Sequence, residues 1–492
     1  MPLGNRLAKG PFRHGCSALP PVISRAALGE RDDSDGRSTV SPAATPGQAA
    51  ASAPLGAPRP TLRSRDVLAL TVGIVIGAGI FRTPALVAGA AGSEAALLLA
   101  WVAGGLLSIV GALCYAELVS AFPHVGGDFH FLDRAYGPRL AFLYAWARLA
   151  VIQTGSIALL AYVLGDYLAA MLPIGPLSPA LYAAAAVLLI NGVNWAGIRL
   201  GARVQRWLTA AEVAGLALVI AAAFTLAPAA AAPTTPAGGG AAGLMMVFVL
   251  LTYGGWSEAV YVSAEVEDAP RRMGRIMVAG LAFVTLLYVL ANLAFLRALG
   301  LGGMAASEAV AAEVMRRALG GEGVALISLI VAIAAFTSAN ATAITGARTA
   351  CALGRSFAQL RWLGRWDVAR DTPANALVAQ TGVALLLVAA GAFARDGFRL
   401  VVEYTAPVFW FFLLLVGLAV FVLRIRQPHA PRPFRVPLYP LLPALFCLTS
   451  AYLLYASVAY TGAGALAGIA VLAAGGLALA LLRPSPPEEA NP

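Results

Sequence analysis

Apolar runs of roughly 20 residues, the length that crosses about 30 Å of hydrocarbon, follow one another from residue 67 almost to the end of the chain. They fall at 67–89, 95–118, 140–171, 180–197, 207–227, 243–264, 275–299, 323–350, 374–394, 398–423, 436–460 and 463–482, and predict about twelve membrane-spanning helices. The first stretch of chain does not share this pattern. Residues 1–62 are rich in Pro, Ser, Ala, Gly and Arg, hold a small charge cluster from Glu30 to Arg37, and have no sustained apolar period, so they read as a disordered tail. Within it, Pro20, Pro21 and Arg25 interrupt the only stretch that resembles a signal-peptide core. Residues 483–492 read as a short C-terminal tail.

Two of the spans carry glycine where a membrane helix should be most regular. The first reads Thr71-Val-Gly-Ile-Val-Ile-Gly77-Ala-Gly79-Ile-Phe81-Arg-Thr-Pro84, and the sixth reads Leu250-Leu-Thr-Tyr-Gly254-Gly255-Trp256-Ser-Glu258. A lone glycine face lets another helix approach closely. A break at mid-depth instead frees backbone groups, which is tolerable only where they face protein or a cavity. Breaks in spans one and six are what two five-helix repeats of opposite topology produce, with a solute site at their interface.

Composition agrees with a polytopic membrane protein: of 492 residues, 60% are hydrophobic and 12% charged, against about 25% charged in soluble domains. The net charge of +10 is nearly all arginine, since Lys9 is the sole lysine. Such an excess suggests nucleic acid until its positions are read. Arg134, Arg199, Arg203, Arg271, Arg355, Arg370, Arg424 and most others fall in one alternate set of loops, with Arg297, Arg316, Arg317, Arg395 and Arg399 in the other. That asymmetry predicts an even number of spans and cytoplasmic termini, in a cell (plasma or inner) membrane and with no nucleic acid partner. Cys16, Cys114, Cys351 and Cys447 form no close pair that would hold a metal. All four histidines, His14, His124, His130 and His429, lie in the tail or loops, so no enzyme's catalytic set is expected at membrane depth.

The ordered motifs Gly77-Ala-Gly-Ile-Phe81, Gly111-Ala-Leu-Cys-Tyr-Ala-Glu117 with Gly126-Gly-Asp128, Tyr253-Gly-Gly-Trp256, Glu265-Val-Glu-Asp-Ala-Pro270 and Ala335-Phe-Thr-Ser-Ala-Asn340 resemble the amino acid, polyamine and organocation transporter superfamily, closest to its L-type amino acid permeases. The resemblance implies an all-α fold with a LeuT-type five-plus-five inverted-repeat core at residues 63–424, helices 1 and 6 broken, and two peripheral helices at 425–482. It implies a secondary transporter that moves an amino acid by alternating access, by proton coupling or by exchange, with no cofactor. Similar proteins bind the substrate carboxylate through backbone N–H groups, here Ile76, Gly77, Ala78, Gly79 and Ile80. Carbonyls at the second break, here Leu251, Thr252, Tyr253, Gly254 and Gly255, take the ammonium, and Trp256 and Ser257 line the pocket. A non-transporting sensor on the same fold would share these residues.

Departures from the family pattern sharpen the expectations. Where relatives carry a mid-span lysine in the fifth span, the matching frame reads Leu208-Thr-Ala-Ala-Glu212. Glu212 is a candidate proton-coupling residue, or else the partner of Arg148 or another arginine. Arg82 and Glu258, each just beyond a break, are expected to pair as a gate, or Glu258 recognises the second ammonium of a cationic amino acid or polyamine. Leu251 stands where L-type relatives often carry phenylalanine. The loop Pro173-Ile-Gly-Pro-Leu-Ser-Pro179 lacks the cysteine that joins animal relatives to a glycoprotein, so no disulfide-linked heavy-chain partner is expected. Glu117, His124, His130 and the cluster from Glu265 to Arg272 read either as inner-gate contacts or as solvated loop charges. Asn340-Ala-Thr342 matches a glycosylation acceptor but lies inside a span.

Overall fold

A computed structural model describes residues 56–228, 241–393, 397–461 and 464–482. The two terminal tails, apart from the last residues before the first helix, lie outside the described residues. The first span is two half-helices, α1 (Ser64–Val75) and α2 (Gly79–Ala90), bent by 44° at the glycine break. Helix α3 (Glu94–Ala121) starts at Ser93, whose hydroxyl accepts the N–H of Ala96 at 3.1 Å. A short helix α4 (Asp128–Tyr136) leads to α5 (Pro138–Ala147), which continues through a π-turn at Arg148–Ile152 into α6 (Gln153–Met171) as the third span. Helices α7 (Ser178–Trp195) and α8 (Ile198–Thr225) complete the first half.

The second half repeats the plan. Helix α9 (Ala241–Thr252) breaks at Tyr253–Gly255 and resumes as a 3₁₀-helix, Trp256–Glu265. Next come α10 (Ala269–Ala305), α11 (Val310–Ser356), α12 (Ala374–Phe393) and α13 (Gly397–Arg426), then the peripheral α14 (Leu441–Thr461) and α15 (Gly464–Leu481). Span two packs on span seven (α3 on α10), span three on span eight (α6 on α11), and span four on span nine (α7 on α12). Equivalent helices of the two halves therefore meet across the bundle, as a pair of repeats around one axis requires.

Among the described residues nine helices are long and apolar enough to cross a membrane, and the bent pair α1 and α2 makes a tenth. Helices α7 and α15, of 18 residues each, lie at the other two predicted positions but do not meet that test, so the described residues support nine or ten spans rather than twelve. Several helices outrun their apolar windows. Helix α8 starts at Ile198, where hydropathy placed 207, and α11 runs from Val310 to Ser356 with a kink at Gly320, φ +64°. Backbone hydrogen bonding continues past the hydrocarbon boundary that hydropathy detects.

Candidate functional site

Both predicted breaks are present, and they touch. A Cβ at Gly79 would sit 3.3 Å from Thr252 Cγ2, and one at Gly255 would sit 3.2 Å from Ile74 Cγ1. Gly255 has φ +97°, in the left-handed region that favours glycine. Gly77 faces α11, where a Cβ would meet Ser338 Oγ at 2.7 Å. Ile76 and Ile80 are buried, and Gly77, Ala78 and Gly79 half-buried.

The carbonyls released at the end of α1 are held by neighbouring hydroxyls. Ser338 Oγ lies 3.2 Å from Gly73 O and 3.4 Å from Ile74 O. The Tyr288 hydroxyl lies 2.6 Å from Val75 O and 3.3 Å from Thr252 O, so one side chain on α10 reaches both breaks. The N–H groups of Gly77, Ala78, Gly79 and Ile80 have no acceptor among the described residues. They lie where the dipole of α2 favours negative charge. At the second break, Leu251 O accepts the N–H of Gly254 at 3.1 Å and Gly255 O that of Glu258 at 3.0 Å. Tyr253 O and Gly254 O have no donor among the described residues. The sequence assigned five carbonyls here, and the internal bonds narrow the free ones to two.

Side chains around the second break point several ways. Tyr253 is buried away from the first break, its hydroxyl donating to Trp101 O at 3.0 Å and its ring 5.1 Å from that of Tyr288. Leu251 is 44% exposed. Trp256 stacks edge-on against Tyr115, ring centres 5.1 Å apart. Trp256 and Ser257 do line a cavity, together with Gly254 and Gly255 of the second break and residues of α3, α13 and α14 such as Leu107, Phe409, Trp410 and Phe446, but neither α1 nor α2 borders it.

The expected pairing of Arg82 with Glu258 does not form. Glu258 instead binds Arg148 in a buried ion pair, and Arg82 is exposed on α2. Arg148 sits at the π-turn of span three, which re-aims its side chain toward the sixth span. There its guanidinium lies 4.0 Å over the Tyr261 ring and donates to Tyr144 Oη at 3.1 Å. Tyr144 in turn hydrogen-bonds Tyr261 and donates to Asp128 at 3.1 Å, which also accepts Tyr115 at 3.2 Å. Gln153 links Glu258 (3.4 Å) to Thr345 (2.9 Å). This network ties α3, α4, span three, the 3₁₀-helix and α11 together.

The pairing of Glu212 with Arg148 is likewise absent. Glu212 is fully buried, and neither carboxylate oxygen has a hydrogen-bond partner among the described residues. The inner clusters are mostly structural contacts: Glu117 takes Arg424 in a two-pronged bond (2.7 and 2.6 Å), and Glu265 takes Arg348 (2.5 and 2.7 Å). Glu267, Asp268, Arg271 and Arg272 are exposed, as solvated loop charges are. His124 and His130 stack 4.2 Å apart outside the spans, and burial lowers them to about 4 and about 3. Asn340 is buried, bonded to Gln205 and Asn194 at 2.8 Å each. Cys114, Cys351 and Cys447 are free and buried.

Of the residues that hold the breaks, sequence reasoning missed Tyr288. Ser338 lay inside a quoted motif, Ala335-Phe-Thr-Ser-Ala-Asn340, without a role.

Comparison with known proteins agrees with this geometry. The chain is 30% identical over 402 residues to the b(0,+)-type amino acid transporter 1 of Homo sapiens, covering 80% of this chain and 81% of the relative. The same protein from Mus musculus gives the same values. Large neutral amino acids transporter small subunit 2 of Homo sapiens is 30% identical over 409 residues, covering 79% of this chain and 74% of the relative. The amino acid permease profile matches residues 62–474, and the chain therefore belongs to the amino acid permease family.

Proposed function

We propose that this amino acid permease carries its substrate between the two breaks by alternating access, the ten-helix core of residues 63–424 doing the transport. An amino acid zwitterion needs donors at one end and acceptors at the other. The observation that carries the reading is that the unpartnered N–H groups of Gly77 to Ile80 and the free carbonyls of Tyr253 and Gly254 belong to two breaks in direct contact. Backbone groups meet both ends without burying a permanent side-chain charge. The names of the relatives, a b(0,+)-type and a large neutral amino acid transporter, support an amino acid as the substrate. The engagement of Glu258 by Arg148 supports a structural or gating role for Glu258 over recognition of a second ammonium. The arginine asymmetry supports cytoplasmic termini, and the cysteine-free loop after α6 supports function without a disulfide-linked partner.

Glu212 is the proposed proton-coupling group. A carboxylate fully buried without a hydrogen-bond donor among the described residues is costly when charged, a cost that a conformational change admitting water or a partner would relieve. Two measurements test these roles. Purified protein screened against the twenty amino acids and several polyamines should gain thermal stability with its substrate, because a ligand that binds only the folded state raises the melting temperature. Vesicles loaded with that ligand should then show counterflow, and binding without flux would make the protein a sensor. In the same vesicles Glu212→Gln should abolish stimulation by an inward proton gradient while sparing exchange. An unchanged pH response in that variant removes Glu212 from coupling.

A further inference from the structure

The arginine-rich end of the bundle holds a cavity of about 450 Å³ apart from the two breaks. Arg59 and Thr61 ahead of α1, Arg199 and Arg203 on the first turns of α8, and Arg370 and Asp371 ahead of α12 line it. Its single carboxylate is already engaged. Asp371 accepts the backbone N–H of Arg59 at 3.3 Å, the Thr61 hydroxyl at 3.1 Å and the Trp366 indole N–H at 3.0 Å. Arg370 stacks 3.7 Å over the Trp195 ring and reaches Asp367 at 3.3 Å.

Arg199 and Arg203 are exposed and have no hydrogen-bond or ion-pair partner among the described residues. Their placement works against local electrostatics twice over. Like charges four apart on a helix repel, and cations at a helix N-terminus oppose the dipole. An anion in the cavity offsets both. The aromatic residues around the cavity set its depth. Trp207, one turn beyond Arg203, is 74% exposed, and Trp195, beneath Arg370, is 41% exposed, as tryptophans are where a membrane meets water. A basic cavity at that level faces lipid headgroups.

We propose that this cavity binds the phosphate of an anionic phospholipid headgroup, with Arg199 and Arg203 as its main ligands and Arg370 beside them. Because Arg59 and Thr61 lead directly into α1, an occupied cavity fastens the start of the first broken span to α8 and to the segment before α12. Bound lipid thereby stabilises the arrangement seen here.

The test uses the purified full chain in neutral mixed micelles, with phosphatidylglycerol, phosphatidylcholine or inorganic phosphate added and the melting temperature followed. Phosphatidylglycerol should raise it saturably, and the other two should not. Arg199→Gln/Arg203→Gln should keep or slightly raise the lipid-free melting temperature, since neither side chain has a partner among the described residues and their mutual repulsion is removed, and should need on the order of 30-fold more phosphatidylglycerol for the same rise. The single Arg203→Gln variant should fall between. An equal rise with phosphatidylcholine, or an unchanged response in the double variant, overturns the site. An equal rise with inorganic phosphate makes it a free-anion site and overturns the lipid assignment.

Discussion

Arg148 and Glu258 make the most exposed target for refutation, because a buried ion pair responds to single and double replacement in opposite ways. Their side chains are 3% and 9% exposed. Taking away one partner strands a charge in a low-dielectric interior, at a cost of about 3–5 kcal/mol, whereas replacing both with apolar groups of similar volume is often neutral or better. Arg148→Met and Glu258→Met should therefore each lose about 3–5 kcal/mol. The Arg148→Met/Glu258→Met double variant should return to within about 1 kcal/mol of the parent. The surroundings permit this recovery. Gln153 keeps the carbonyl of Thr342 at 2.6 Å and the hydroxyl of Thr345 at 2.9 Å, and Asp128 keeps Tyr115 and Tyr144. Unfolding by SDS in mixed micelles, followed by tryptophan fluorescence, measures all four proteins. Additive losses in the double variant would show that the pair does not act as a unit. Single losses below about 1 kcal/mol would place it in solvent, as a surface pair. If the pair also parts during transport, the double variant should change flux while its stability stays near the parent's.

Removing the Tyr288 hydroxyl as Tyr288→Phe keeps the ring but leaves the carbonyls of Val75 and Thr252 without their shared donor, so about 1–3 kcal/mol should be lost in the same SDS titration. No loss would mean that the breaks are held without it. The His124/His130 stack predicts a pH dependence: both are held below the ordinary value near 6.5 by burial, so the unfolded chain binds more protons. Their contribution is complete above pH 6.5 and is lost as pH falls toward about 4 and about 3. Asp128 runs the other way, burial raising it to about 6, so its contribution declines as pH rises from 3.8. Relative to the parent, the His124→Asn/His130→Gln variant should lose less melting temperature between pH 7 and about 4.5, a difference in which Asp128 cancels. Parallel curves would refute the histidine assignment.

What the sequence made legible is what depends on neighbours along the chain. Glycine and proline interrupt a helix by their own covalent structure, so Gly77, Gly79, Gly254 and Gly255 announced both breaks, and hydropathy announced the order of the spans. Pairing across the bundle was not legible. Arg148 and Glu258 are 110 residues apart and Tyr288 and Val75 are 213 apart. Proximity to a break in sequence favoured Arg82 for Glu258, but α2 turns Arg82 outward and the π-turn swings Arg148 inward. No local spacing rule encodes that rotation. Free carbonyls were over-assigned for a related reason: the turn at Tyr253–Gly255 satisfies Leu251 and Gly255 internally, and Tyr288 satisfies Thr252 from another helix.

The same geometry constrains how such a site can move. Its proposed substrate contacts are main-chain groups, and main chain cannot be re-aimed by a rotamer change. The half-helices themselves must shift, and the hydroxyls that hold them must exchange partners. Tyr288 spans both breaks and Ser338 holds the end of α1, so any shift of the half-helices relative to α10 and α11 must break or exchange these bonds.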